Sequence, residues 1–250
     1  MTQQGAPIDF TADLRTRLEN GLSAHDRREH PLDGRRHAAV AVVLVDSDAE
    51  RDDGDPVMAA DIDMSVVPGD HDAAERRRLD GRMVGVAGGA AFLLCRRASR
   101  LRRHAGQWAL PGGRIDNGES PLDAALRELA EELGLPLGPD SVVGWLDDYP
   151  TRSGYVITPV VLWGGADPEF EPAPDEVLAV YRIGLHALRD SEPRFLSIAE
   201  SDRPVLQLPL GNDLIHAPTA AILFQLRQVG LLGHAGERVD HLEQPVFAWR

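Results

Sequence analysis

The sequence predicts a mixed α/β domain, and three observations carry that expectation. Apolar runs of strand length recur along the chain, at 38–45 (AAVAVVLV), 91–97 (AFLLCRR) and 155–163 (YVITPVVLW). Between them, residues 120–134 carry a full set of helix signals. The 250 residues suffice for one sizeable core, and no apolar run approaches membrane-spanning length.

Taken in order, residues 9–24 read as a short amphipathic helix, with Leu14, Leu18 and Leu22 at four-residue spacing and Thr11 or Asp9 as its cap. The strand at 38–45 follows. Residues 46–82 are polar, charged and turn-rich, which predicts a surface insertion, in part disordered, between two early strands. After the strand at 91–97 and the central helix come strands at 141–146 and 155–163, joined by the turn-like DDYPTRSG. A further strand is expected at 176–183 and a helix at 218–229, with Pro218 in its first turn and Gly230 beyond its end. In the tail, Val246, Phe247 and Trp249 are apolar enough to dock on the body. The expected organisation is an N-terminal helical segment at 1–35, one domain at 36–232 with the 46–82 insertion, and a docked tail at 233–250.

Composition narrows the function. A net charge of −14 repels a nucleic-acid backbone, so a large DNA-binding face is not expected. The single cysteine, Cys95, allows no internal disulfide, and the first ten residues lack the regions of a secretory signal. A cytoplasmic protein without membrane association is the expectation. Every basic residue other than histidine is arginine; codon bias accounts for that without a functional reading.

The chemistry concentrates in residues 111–135, PGGRIDNGESPLDAALRELAEELGL. Ser120 caps the predicted helix, Pro121 suits its first position, Asp123 completes a capping box and Gly134 stands where a left-handed cap belongs. Leu122, Ala125, Leu126, Leu129 and Leu133 form a stripe that must face the core. Glu128, Glu131 and Glu132 are expected on the opposite face, with no basic residue at 124, 135 or 136; Arg127 is the only cation in the helix, and no basic partner is expected in reach along it. Like charges at i and i+4 cost roughly 0.2–0.5 kcal/mol per pair in an isolated helix. Such a cluster suits either a solvated acidic face or a hard divalent cation, magnesium or manganese.

The surrounding residues favour the cation. The segment fits Gly-x5-Glu-x7-Arg-Glu-U-x-Glu-Glu-x-Gly-U, with U a bulky aliphatic residue, at Gly113, Glu119, Arg127, Glu128, Leu129, Glu131, Glu132, Gly134 and Leu135. It resembles the signature of the Nudix hydrolase superfamily. The resemblance implies an α/β/α sandwich with a mixed sheet and a loop-helix-loop that holds the metal. It implies that Glu128, Glu131 and Glu132 bind Mg2+ or Mn2+ together with the Gly112 carbonyl, and that Arg127 and Glu119 orient the loop against the helix. Gly112 and Gly113 let a diphosphate approach the backbone closely. The base that deprotonates the attacking water is sought among Glu131, Glu132 and Glu176.

Two further segments, 92–113 and 143–163, resemble the coenzyme A pyrophosphatase branch of that superfamily, although Cys95 and Leu110 depart from its pattern. The resemblance implies coenzyme A or an acyl derivative as substrate, with ADP-ribose or NADH as the alternative. A third reading is a Nudix module that senses a nucleotide without cutting it. Arg96, Arg97, Arg100, Arg102 and Arg103 crowd ahead of the glycine loop. They suit phosphate oxygens, with Arg97, Arg102 and Arg103 as the expected binders, or else form an exposed basic strand end. His104 reads as a loop hydrogen-bonder, and Tyr149 and Tyr155 as packing residues before stacking ones. The expected partner is therefore a small nucleoside diphosphate derivative, with a homodimer left open as the assembly.

Overall fold

The computed structural model describes residues 5–56, 79–98 and 107–249. Helix α1 (Ala12–Ala24) is capped by Thr11, whose hydroxyl accepts from the Leu14 N–H at 3.2 Å. Strand β1 (Arg36–Ser47) is followed by a single helical turn, α2 (Ala49–Asp52), then by β2 (Gly89–Arg97), β3 (Trp108–Ala109) and β4 (Gly112–Arg114). The central helix α3 spans Pro121–Leu133. Beyond it lie β5 (Val142–Trp145), β6 (Tyr149–Pro150), β7 (Tyr155–Gly165) and β8 (Val177–Gly184), then α4 (Leu185–Asp190). Strands β9 (Arg194–Ile198), β10 (Ser201–Leu210) and β11 (Asp213–His216) precede α5 (Thr219–Leu226), which runs on as a wider π turn at Arg227–Leu231.

Among the described residues β1–β8 form one mixed sheet along β3-β2-β1-β7-β5, with β4 on β1, β6 on β7 and β8 on β2. Only β1 and β7 run parallel in it, from Arg36 opposite Tyr155 to Val45 opposite Gly165. The near-continuous apolar run of β1 follows from burial on both faces. Val42 and Leu44 join a core with Leu14, Leu18 and Leu22 of α1 and with α5. Ala39, Ala41, Val43 and Val45 join a second core with Ala124, Ala125, Leu129 and Leu133 of α3. The result is an α/β/α sandwich, with α3 on one face and α1 and α5 on the other. No helix among the described residues is long and apolar enough to cross a membrane.

A second sheet, β11-β10-β9, is antiparallel throughout. No element is expected there from the sequence; Pro204 and Pro209 lie within β10. Of the stretch 46–82, Asp46 and Ser47 complete β1. The Asp53 carboxylate accepts from the Val86 and Ala87 N–H groups, and Asp55 accepts from the Met83 N–H and the Tyr181 hydroxyl. Residues 57–78 lie outside the described residues.

A buried polar seam ties the chain ends to the body. Asp147 and Asp148 leave β5 almost fully buried. Asp147 accepts from the Arg28 N–H at 2.7 Å and from Arg238 Nη1 at 3.0 Å on each oxygen, and faces His25 Nε2 at 2.8 Å. Asp148 accepts from Thr158 Oγ1 at 2.7 Å, Arg27 Nη2 at 3.0 Å and the His30 N–H at 3.0 Å. In the tail, buried Glu243 accepts from Arg152 and Ser201, and Phe247 stands edge-on to His216 at 5.4 Å.

Candidate active site

Helix α3 is set at both ends by its own residues. Ser120 Oγ accepts from the Asp123 N–H at 3.2 Å, and Asp123 Oδ2 accepts from the Ser120 N–H at 3.1 Å, which closes the capping box. Gly134 ends the helix at φ 65°. The loop before the helix, β4, pairs with β1 at Val40, Ala39 and Ala38. Gly112 has φ 152°, and a Cβ there would run into the Ala39 carbonyl and lie 2.6 Å from Val40 Cα. A Cβ on Gly113 would collide with the Glu128 carboxylate. The glycines thus let the loop pass the helix at backbone distance.

The carboxylates are held unequally. Glu132 is buried, and its Oε2 accepts from the Gly112 N–H at 3.0 Å. Burial pushes its carboxyl up to about 7; the Gly112 N–H and Arg97 oppose the rise, while Glu128 and Glu176 add to it. This corrects the expected polar-face placement: Ala124 and Glu132 both lie on the buried side, and Glu132 turns under the glycine loop. Glu131 is 61% exposed at its side chain, whereas Glu128 is 16% exposed.

Arg127 organises the rest. Its Nε and Nη2 donate to the two oxygens of Glu119 at 2.9 and 3.1 Å, and Nη2 also donates to the Arg114 carbonyl at 3.0 Å. Its Nη1 donates to Glu128 Oε1 at 2.9 Å and to Glu131 Oε2 at 3.0 Å. Hydrogen bonds from Arg127 hold the Glu119 carboxyl below the usual carboxylate range. The expectation that these glutamates have no basic partner along the helix is therefore wrong: Arg127 stands at i to Glu131's i+4, a spacing present in the sequence.

These donor groups suit a hard divalent cation: three carboxylates on one helix beside a glycine cradle that any side chain would fill. Among the described residues, no three carboxylate, imidazole or thiol groups are gathered closely enough to hold an ion together. Glu128 and Glu131 lie on Arg127 instead, and Glu132 lies on the Gly112 N–H.

The remaining candidates separate. Arg97, half-buried at the end of β2, shares the α3 side of the sheet with Glu132 and Cys95, and acts electrostatically on both. Arg96 points to the other face, buried, with its guanidinium 5.0 Å from the Trp108 ring centroid. Arg100, Arg102, Arg103 and His104 lie outside the described residues. Glu176 is exposed, on a loop whose backbone is pinned to the end of α3: the Glu171 N–H donates to the Leu133 carbonyl at 2.8 Å, and the Ala173 N–H donates to the Glu132 carbonyl at 2.9 Å. That pinning brings the charge of Glu176, a base candidate from the sequence, to Glu132. Tyr149 is buried, with its hydroxyl on the Leu242 carbonyl at 3.0 Å, and Tyr155 lies under the Arg36 guanidinium at 4.0 Å.

Known proteins resemble the chain at three levels. The uncharacterized Nudix hydrolase NudL of Yersinia pestis (strain Pestoides F) is 42% identical over 96 residues, which is 38% of this chain and 48% of that protein. NudL of Yersinia pseudotuberculosis serotype O:1b matches to the same extent, so the chain spans about half the length of the curated relatives it matches. The solved structure of the Nudix hydrolase RenU from M. smegmatis is 20% identical with a TM-score of 0.40, covering 78% of this chain and 86% of that one. A MutT/nudix family protein from Enterococcus faecalis is 15% identical with a TM-score of 0.44, covering 89% and 75%. The profile of the NUDIX domain matches residues 79–208, the stretch that contains the glycine loop, α3 and the Glu176 loop. That match takes in more than half of the 250 residues, and the chain belongs to the NUDIX domain family.

Proposed function

We propose that the chain hydrolyses the diphosphate linkage of a nucleotide derivative with Mg2+ or Mn2+, and that coenzyme A or an acyl-coenzyme A is its substrate. The observation that carries the hydrolase reading is the set of carboxylates at the glycine loop: Glu132 on the Gly112 N–H, Glu128 against Gly113, Glu131 joined to Glu128 through Arg127, and the charge of Glu176 acting on Glu132. Glu128, Glu131, Glu132 and the Gly112 carbonyl would hold the divalent ion. When bound, such an ion neutralises charge on the diphosphate and lowers the pKa of a water.

The chain's own residues do the rest. Arg127 and Glu119 fix the loop, so that Gly112 and Gly113 present bare backbone to the phosphates. Arg97, on the same side of the sheet as Glu132, offers a fork to phosphate oxygens. Glu176, exposed and near Glu132, receives a proton from the attacking water; Glu131 and Glu132 are the alternatives. Water adds to one phosphorus, the bridging P–O bond breaks, and the second phosphate leaves with that oxygen. Coenzyme A would give 3′-phosphoadenosine 5′-phosphate and 4′-phosphopantetheine. The coenzyme A choice rests on the segments 92–113 and 143–163, with Arg102 and Arg103 as candidates for its 3′-phosphate.

The test is kcat/KM for coenzyme A, dephospho-coenzyme A, ADP-ribose and NADH, with Mg2+ or Mn2+ and with chelator. Coenzyme A is expected to lead, and chelator to abolish turnover. ADP-ribose leading by a wide margin would overturn the coenzyme A assignment and keep the hydrolase. Turnover of none of the four, or turnover undiminished in chelator, would overturn the metal-dependent hydrolase itself.

A further inference from the structure

We propose that Arg127 is the resident counter-cation of this metal site: its Nη1 holds Glu128 and Glu131 until a divalent ion takes them over, while Nε and Nη2 keep the loop in place. The inference rests on the metal-dependent reading above and concerns how that site is kept ready. The five hydrogen bonds of Arg127 fall into two sets. Nε and Nη2 serve the loop, through both oxygens of Glu119 and the Arg114 carbonyl. Nη1 alone serves the helix, at 2.9 Å to Glu128 and 3.0 Å to Glu131.

Charge explains why the exchange would be balanced. Glu119, Glu128 and Glu131 surround one guanidinium, which leaves this group two negative charges in excess, the charge of one divalent ion. Exposure explains why it would be easy. The Arg127 side chain is 30% exposed and that of Glu131 is 61% exposed, so water competes for this pair and little holds it shut. Geometry explains why the loop would survive. The guanidinium is a rigid plane, so the glutamates can swing off Nη1 without disturbing the two-point grip on Glu119. A lysine carries the same charge at a single point and cannot serve both sets at once.

The test uses the whole chain with 15N-labelled arginine, titrated with Mg2+ alone and followed by NMR through the exchange of guanidinium protons and the carboxyl signals of the glutamates. The Arg127 Nε proton is expected to stay protected throughout. The Nη1 protons should lose protection by about tenfold or more on Mg2+ saturation, as for the loss of one charged hydrogen bond. Mg2+ that shifts the Glu128 and Glu131 carboxyl signals while Nη1 keeps its protection overturns this inference and leaves the hydrolase reading intact. Binding of neither Mg2+ nor Mn2+ overturns both. Thermal unfolding of Arg127→Gln gives a second readout. Its Mg2+-induced rise in Tm should exceed that of the wild type by about 2–4 °C, because nothing competes with the ion. An equal rise means Arg127 only anchors the loop and overturns the proposal. If the variant does not fold, the wild-type exchange data decide alone.

Discussion

Two acidic clusters sit in this molecule, and they are held in opposite ways. At the polar seam, Asp147 and Asp148 are almost fully buried, yet each meets several fixed donors: backbone N–H groups of Arg28 and His30, the side chains of Arg27, Arg238 and Thr158, and His25. Burial alone would raise the Asp147 carboxyl; the Arg28 N–H, Arg238, Gln225 and His25 outweigh it and hold the carboxyl below its ordinary value. At α3, Glu132 is just as buried but has one backbone donor, and burial prevails, to about 7. Glu128 and Glu131 share one nitrogen of one arginine. The difference gives a criterion for telling a structural carboxylate from one proposed to react. The first has its lone pairs filled by the fold, and the second is left short of donors where a cation or substrate can supply the rest.

The largest effect expected from this contrast is on stability at the seam. Asp147→Ala strands Arg238 and removes the partner of His25 in a buried setting. Breaking a buried pair from one side typically costs about 3–5 kcal/mol. For a chain of this size that lowers Tm by on the order of 10 °C. Thermal unfolding of the variant measures it, and a shift of only a degree or two would show that the seam tolerates an unpaired cation and is not what holds the chain ends.

The second effect separates the clusters by pH, in metal-free protein. The unfolded chain releases the Glu132 proton near the ordinary 4.5, whereas the folded chain releases it near 7. Between those values the unfolded state binds fewer protons, so Glu132 makes stability fall as pH rises from about 4.5 to about 7, by on the order of 3 kcal/mol. Asp147 acts with the opposite sign: its contribution stands above the ordinary 3.8 and is lost only as pH falls through the lowered folded value. Glu132→Gln should remove the slope between 4.5 and 7, raise metal-free stability at pH 8, and cost turnover on the order of a hundredfold or more if the carboxylate handles the reacting water or its ion. Denaturant titrations in chelator across pH, paired with kcat measurements, check both halves. A variant with the wild-type slope would mean that Glu132 is not the group titrating there.

Sequence and structure agree where the information is local. The capping box at Ser120 and Asp123, Pro121, and Gly134 are read within one helix, and α3 has those bounds. The apolar runs of β1, β2 and β7 needed no partner to be recognised. What the sequence hid is non-local. Asp147 and Asp148 looked like turn residues because their hydrogen-bond partners come from 25–30, 158, 225 and 238, at separations no spacing rule covers. Glu132 looked solvent-facing because the loop that buries it crosses the helix at Gly112, and helical periodicity says nothing of a crossing loop. Only the reach of Arg127 to Glu131, one turn apart, was local and still overlooked.

The smallest expected effect is the sharpest test of the contrast, because it separates stability from activity in one residue. Among the described residues Glu131 has one hydrogen-bond partner, Arg127 Nη1 at 3.0 Å, and its side chain is 61% exposed. Exposed pairs of this kind contribute about 0–1 kcal/mol, and removing the charge also relieves repulsion with Glu128, three residues away on the helix. Glu131→Gln should therefore leave metal-free stability within about 0.5 kcal/mol of wild type. Because the fold spends nothing on this carboxylate, its place in the chemistry is what the substitution should remove: the Mg2+ concentration needed for half-maximal turnover should rise, and the maximal rate should fall. Urea unfolding in chelator and a Mg2+ titration of turnover give the two numbers. If stability drops by more than about 1 kcal/mol while the Mg2+ dependence is unmoved, Glu131 belongs with Asp147 as a structural carboxylate, and the distinction between the clusters fails at the residue where it should be cleanest.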